Sequence, residues 1–448
     1  MQSHARCPIF VLATIGLVLL LCLGYAAGQK QTVLYSFTGG GDGGIPYANL
    51  IADGEGNLYG TTQQYGTGPC NFPFAGCGTV FELMRLPGNQ WRFKVLYTFQ
   101  GGEDGANPSA GLAIDGYGNL YGTTFWGGST KFEDCGGSGC GTVFELQRSR
   151  GWKETILYRF GRGADGGNPS GSVVAGQGGA LFGTTSYGGD LNCFYEGPGC
   201  GVVFELQPAA DAVDGWRETV LHTFEGADGA DPYVGVTLDG AGNIYGVTAL
   251  GGLGQSGFSG GVVFELQRSG RNWNENTLYE FPEYYGNPAG PLVLDDRGNL
   301  YGTTEVGGEW EAGSVFELQK GGLATTAQGW TKTDLYDFLG GPTGSSPLFS
   351  GVVFDSRGNL YGTTENGGMG DCQGGGCGTV FELSKGPMGI WEERGLFSFP
   401  GGTGGSYPFS GVTLDGKGHL YGMTPNGGDP SCQGYWFPGC GVIYEISK

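Results

Sequence analysis

The chain has 448 residues, 43 of them acidic against 22 basic, and its formal net charge of −21 repels nucleic acid and anionic membrane. Its 97 glycines and 21 prolines make up about a quarter of the residues and would suggest a low-complexity polymer, but 13% aromatic side chains exclude a disordered chain. The acidic residues are scattered singly, so they read as solvated surface that suits neutral or cationic partners.

Residues 1–28 carry the pattern of a secretory signal peptide. Arg6 gives a positive start, Ile9 to Leu23 form an apolar run, and Gly24-Tyr25-Ala26-Ala27-Gly28 offers small residues for cleavage. The run is shorter than the roughly 20 residues a spanning helix needs, and no second apolar stretch follows. The expectation is a secreted protein, extracellular or periplasmic, whose mature part begins near residue 29 and has no membrane span.

Val33-Leu34-Tyr35-Ser36-Phe37 then reads as a lone strand. After it, one phrase recurs about every sixty residues. It is Asn57-Leu58-Tyr59-Gly60-Thr61-Thr62 at first, and its aromatic position returns at Tyr121, Phe182, Tyr245, Tyr301, Tyr361 and Tyr421. Such a period marks a repeat architecture in which every unit buries its faces against its neighbours.

The second copy shows the unit most clearly. Gly111-Leu112-Ala113-Ile114-Asp115 is a short first strand, ended by the turn Gly116-Tyr117-Gly118. Asn119 to Thr124 is the second strand, Gly141-Thr142-Val143-Phe144-Glu145-Leu146 the third, and Trp152 to Phe160 the fourth. β-Branched and aromatic residues dominate and no helical spacing is present. The third-strand phrase recurs around Phe81, Phe204, Phe264, Phe316, Phe381 and Tyr444, and the fourth strand carries Trp91, Trp152, Trp216, Trp273, Trp330 and Trp391. The sixth tryptophan is the last, and the seventh repeat runs out after a third strand. The pattern predicts an all-β seven-bladed β-propeller of four-stranded antiparallel blades over residues 29–448, closed by the N-terminal strand joining the last blade.

Cys7 and Cys22 lie in the leader, and the other ten cysteines form five close pairs: Cys70/Cys77, Cys135/Cys140, Cys193/Cys200, Cys372/Cys377 and Cys432/Cys440. An even count, local spacing and export favour disulfides over zinc, for which only His222 and His419 remain as imidazole partners.

The unit resembles the repeats of NHL and related six- and seven-bladed propellers. More specifically, Gly-Asn-Leu-Tyr-Gly-Thr-Thr followed by Gly-Thr-Val-Phe-Glu-Leu is similar to the GloVer tandem repeat of exported bacterial proteins, over residues 31–448. The resemblance implies a propeller and export, and carries over no catalytic residue.

Candidate chemistry is sparse. The first-strand starts expected to line the central channel are Asn49, Gly111, Ser172, Gly235, Pro291, Gly351 and Gly411, which supply no converging carboxylates for a metal-dependent channel enzyme. His222 stands where other blades have Tyr97 and Tyr158, and His419 replaces the asparagine of the turn, so neither suggests a triad. Glu82, Glu145, Glu205, Glu265, Glu317, Glu382 and Glu445 recur in equivalent settings, which does not separate a catalytic acid from a base. Asp53, Asp115, Asp239, Asp295, Asp355 and Asp415 precede glycine-containing turns and are expected to bond their own backbone, with calcium as the one cofactor to consider.

Symmetry breaks on the loop face. Asp42, Asp104, Asp165 and Asp228 occur before the first strands of four repeats only, and the cysteine loops carry Phe125, Trp126, Tyr187, Tyr195 and Trp436 among other rings. Rings beside carboxylates suit sugar stacking or protein recognition. These nine residues are the expected ligand site, with no catalytic or metal-binding residue assigned. The expected function is a monomeric, non-catalytic binding or scaffold module for an extracellular polysaccharide or protein. The rivals are an extracellular hydrolase or lyase acting on a polysaccharide or lactone, and a structural envelope or matrix protein.

Overall fold

Each repeat becomes a sheet because its apolar residues sit at alternate positions of short β-branched and aromatic segments, while its glycines take the turns between them. The computed structural model describes residues 29–70, 75–128, 135, 137–193, 197–212, 214–252, 260–270, 272–282, 286–321, 329–434 and 438–447. These residues form seven four-stranded antiparallel sheets, with no α-helix among them. Blade one consists of Ile51–Ala52, Leu58–Thr62, Thr79–Leu86 and Gln90–Thr98, from the channel outward. The sheets of blades two to six repeat that order.

The seventh sheet closes the ring. Thr413–Leu414, Leu420–Thr424 and Val442–Ser447 are its inner three strands, and the N-terminal strand Lys30–Ser36 is its outermost. Lys30 pairs with Ser447 and Ser36 with Val442, so the ladder edge that the last repeat would otherwise present is covered. A one-residue irregularity recurs between the third and outer strands of every blade, at Val80/Phe81 in the first and Val33/Tyr35 in the last.

Packing between blades is aromatic and periodic. The phenylalanine that follows each outer strand meets the third-strand ring of the next blade edge-on. The seven pairs are Phe37–Phe81, Phe99–Phe144, Phe160–Phe204, Phe224–Phe264, Phe281–Phe316, Phe338–Phe381 and Phe399–Tyr444, with centroids 5.0–5.4 Å apart. All fourteen rings are buried, and such contacts add about 0.5–1.5 kcal/mol each beyond area burial. The same rings dictate the motif glycine: a β-carbon on Gly60 would lie 2.7 Å from the Phe81 ring, and one on Gly122 2.6 Å from Phe144.

Disulfides join Cys70 to Cys77, Cys135 to Cys140, Cys193 to Cys200, Cys372 to Cys377 and Cys432 to Cys440, with Cα–Cα distances of 5.1–5.7 Å. Their loops are expected on an open face, but the second cysteine of each pair is a core residue. Cys77, Cys140, Cys377 and Cys440 have no exposed surface and Cys200 is buried with them. Cys135 and Cys140 belong to one buried cluster with Val143, Phe160 and Phe204, between blades two and three. Burial of the sulfurs removes Cys140 and its counterparts from any ligand-contacting surface and makes them packing residues.

None of the helices among the described residues is long and apolar enough to cross a membrane. Residues 1–28 lie outside the described residues.

Candidate functional site

One residue before a proline in each blade fixes the mouth of the channel. Ile45, Asn107, Asn168, Asp231, Asn287, Ser346 and Tyr407 all have φ of 54–58°, a left-handed conformation that asparagine and aspartate tolerate better than most. The turn lets each backbone N–H reach across to the preceding blade. Asn107 donates to the Cys77 carbonyl at 2.9 Å, Asn168 to that of Cys140 at 2.6 Å and Asp231 to that of Cys200 at 3.1 Å. Tyr407 donates to the Cys377 carbonyl and Ile45 to that of Cys440, both at 2.9 Å. The second cysteine of a staple thereby anchors the mouth loop of the next blade.

Beyond that turn the inner strands start against one another. A β-carbon on Gly111 would stand 2.9 Å from the Ser172 hydroxyl, and one on Gly235 would stand 2.6 Å from the Ser172 carbonyl. Asn49 accepts the Gly411 N–H at 2.7 Å. Small residues at these positions follow from that proximity.

Above them, rings reach across the mouth. Tyr47 of blade one meets Phe409 of blade seven at 5.1 Å, Phe409 meets Phe349 of blade six at 6.3 Å, and Phe349 meets Tyr233 of blade four at 5.1 Å. Blade five has Ala289 at the equivalent position, and its small side chain lets Tyr233 and Phe349 meet over it. Beside this row is a cavity of about 420 Å³, within the size range of small-ligand sites. Phe125, Tyr187, Tyr233 and Phe349 supply its rings, Asp231 and Glu305 its carboxylates, and Asn287, Ser170 and Ser186 neutral polar groups; Ala249, Leu250 and Leu348 complete the wall.

The cavity coincides with a local departure from symmetry. The Asn107 and Asn168 amides donate to carbonyls of the preceding blade, Gln63 at 3.0 Å and Phe125 at 2.9 Å. Asn287 instead donates to the Glu305 carboxylate of its own blade. Glu305 and Glu365 follow the Gly-Thr-Thr phrase, where the other blades have Gln63, Phe125, Ser186, Ala249 and Pro425. Burial raises the Glu305 carboxyl above its ordinary range, with the Asn287 amide opposing. Burial, and then the Glu305 charge, push Glu365 up to about 7. The Tyr233 phenol is held well above its usual value by burial and by Glu305 and Asp231, so it remains a neutral donor.

The nine expected ligand residues divide. Phe125 and Tyr187 line the cavity, and Trp126 stacks edge-on against Phe125 at 4.9 Å. Tyr195 and Trp436 lie outside the described residues. The four aspartates line no part of the cavity and tie the turns at the outer edge of their blades. Asp42 accepts from the Tyr35 hydroxyl and the Thr38 N–H, both at 2.9 Å; Asp104 accepts from Tyr97 at 2.5 Å and the Gln100 N–H at 2.6 Å. Asp165 accepts from Tyr158 at 3.2 Å and the Gly161 N–H at 2.7 Å, and Asp228 bonds His222 and the Glu225 N–H, both at 2.8 Å. The turn aspartates behave alike: Asp355 accepts the Arg357 and Asn359 N–H groups, and although burial opposes it, these donors hold its carboxyl at about 2. Among the described residues no cluster of three or more His, Cys, Asp or Glu side chains is arranged to hold a metal ion. The residues that sequence reasoning missed are Tyr233, Asn287, Glu305 and Phe349; the two glutamates after Gly-Thr-Thr were the available signal.

The chain matches the Gloeobacter/Verrucomicrobia repeat over residues 23–212, 132–331 and 260–448, and it belongs to that family. The crystal structure of a protein of unknown function from Dyadobacter fermentans DSM 18053 is similar at 12% identity and a TM-score of 0.39, over 94% of this chain and 99% of that one. No curated protein matches the chain.

Proposed function

We propose that this member of the Gloeobacter/Verrucomicrobia repeat family is an exported binding module that takes a glycan at the channel mouth. A propeller of such repeats fits a binding or scaffold role. The carrying observation is the cavity, where Phe125, Tyr187, Tyr233 and Phe349 stand beside Asn287, Ser170 and Ser186. Ring faces cover the C–H faces of a sugar while amide and hydroxyl groups bond its hydroxyls. The leader-like run in residues 1–28 and the five disulfides support export.

The test is a glycan array followed by calorimetry. Phe125→Ala combined with Phe349→Ala is expected to weaken binding of any hit at least tenfold while the variant keeps the β-sheet circular dichroism of the unaltered chain. An array with no hit, or a hit that the double variant binds equally well, would overturn the reading. Turnover of a polysaccharide or lactone panel would replace it with the hydrolase or lyase alternative.

A further inference from the structure

We infer that the glycan carries a free amine, so that the unit held in the mouth cavity is a protonated amino sugar; this rests on the binding role proposed above. Two carboxylates, Asp231 and Glu305, face the same cavity as the rings, and no described residue of its wall is basic. Glu365, which is not in the cavity wall, stands at the equivalent place in the next blade, and the Glu305 charge adds to burial in raising its carboxyl. Among the described residues no lysine, arginine or histidine forms an ion pair with Glu305 or Glu365.

A half-buried carboxylate is costly to keep ionised, and an opposite charge placed beside it in the cavity offsets that cost. A neutral sugar would supply no such charge. An ammonium would, and it would also sit favourably against the ring faces. One ring of the wall already meets a cation in that manner, from a residue outside the wall: the Arg162 guanidinium lies 4.8 Å from the centre of the Tyr187 ring. A formal net charge of −21 draws cationic ligands from a distance.

The seam between blades five and six supplies an independent sign. In most blades the threonine before the last motif residue donates to the next blade, as Thr61 does to the Ala110 carbonyl at 3.0 Å and Thr184 to that of Val234 at 2.8 Å. Thr303, two residues before Glu305, makes no such bond. Its hydroxyl and that of Ser350, next to Phe349, are both buried and have no hydrogen-bond partner among the described residues. Blade six carries an extra residue here, Leu348, which lines the cavity. Buried hydroxyls without partners are rare, and they concentrate where packing has given way to function.

Calorimetry of the full exported chain against four tetramers tests the proposal: glucosamine, N-acetylglucosamine, glucose and lysine. The glucosamine tetramer is expected to bind at least tenfold more tightly than the other three. Glu305→Gln and, separately, Glu365→Gln are expected to shrink that preference several-fold. The comparison on the unaltered chain stands even if a variant fails to fold. Equal binding of the acetylated or glucose tetramer overturns the amine and leaves the glycan role intact. Lysine tetramer binding as tightly as glucosamine also overturns it, in favour of a peptide cation. Binding of no sugar tetramer overturns the amine, and the glycan array then decides the binding role.

Discussion

The Tyr59 phenol stands 3.0 Å from a Glu82 carboxylate oxygen and 3.1 Å from one of Asp53. Tyr59 and Glu82 are direct cross-strand partners, and Asp53 belongs to the turn before the strand. The clasp recurs at Tyr121, Tyr245, Tyr301 and Tyr361, each bonded to the glutamate of its third strand and the aspartate of its turn. Blade three loses the set together: Phe182, Gly176 and Ala180 replace the tyrosine, aspartate and turn asparagine, and Glu205 accepts from the Gln207 amide at 2.8 Å instead. One phenol proton serves two carboxylates, which accounts for both linked motifs of the repeat.

Tyr361→Phe should therefore destabilise the fold by about 1–2 kcal/mol, because Glu382 loses a donor while buried. Phe182→Tyr should gain less than Tyr361→Phe loses, since Glu205 stands opposite to accept its proton but no aspartate stands at Gly176. Urea unfolding of both variants checks the pair. An unchanged midpoint for Tyr361→Phe would show that the clasp contributes no net stability.

Stability should fall as pH rises from about 5 to 8. Burial, and then the Asp104 charge, push the Glu154 carboxyl up to about 8 against the pull of Arg159, and burial with Asp165 pushes Glu218 up to about 7. Both folded values lie above the unfolded one, so the contribution is complete below about pH 4.3 and is lost as pH passes through the folded values. Glu154→Gln, a mimic of the protonated form facing Asp104, Tyr97 and Arg159, should stabilise the protein at pH 8.5 by about 1 kcal/mol after allowing for solvent screening. It should do almost nothing at pH 4. Thermal melts at the two pH values decide this, and equal shifts at both would refute it.

Ring closure should depend on the first described strand. Removing residues 29–37 uncovers the ladder of Val442–Ser447 and empties the place of Phe37, whose ring packs edge-on against Phe81 at 5.4 Å. The expected result is aggregation visible by light scattering. Phe37→Ala keeps the strand and should cost about 3–5 kcal/mol. A monomeric truncation variant with unchanged unfolding would contradict the closure argument.

Staples should matter to stability more than to the mouth cavity. Cys372 and Cys377 close a loop with a sequence separation of 5, and blade six contributes Leu348 and Phe349 to the cavity from a different loop. Replacing both cysteines by serine should cost roughly 2 kcal/mol while ligand affinity stays within twofold. A larger loss of affinity would mean that the staple sets the geometry of the mouth, through the hydrogen bond of the Tyr407 N–H to the Cys377 carbonyl.

The repeat period and the order of strands within a blade are legible in the sequence, because each depends on apolar alternation and turns between near neighbours; the N-terminal strand's distant place in the last blade is legible only because the count leaves one fourth strand at the start and a last repeat without one. The cysteine pairing is legible for the same reason, but the burial of Cys140 and its counterparts is not, since the next blade covers them. The candidate site is legible only in part. Phe125 and Tyr187 can be recognised as rings in unusual loops, whereas Asp42, Asp104, Asp165 and Asp228 attract notice as acids although their own turns use them. Tyr233, Asn287, Glu305 and Phe349 look like isolated deviations within separate repeats. They face one cavity because ring closure brings mouth loops of blades four, five and six around one axis, where Ala289 leaves room that the other loops fill. Local pattern thus determined the blades, while the pocket was decided by the packing of one blade on the next, a long-range consequence of burying the interblade rings from water.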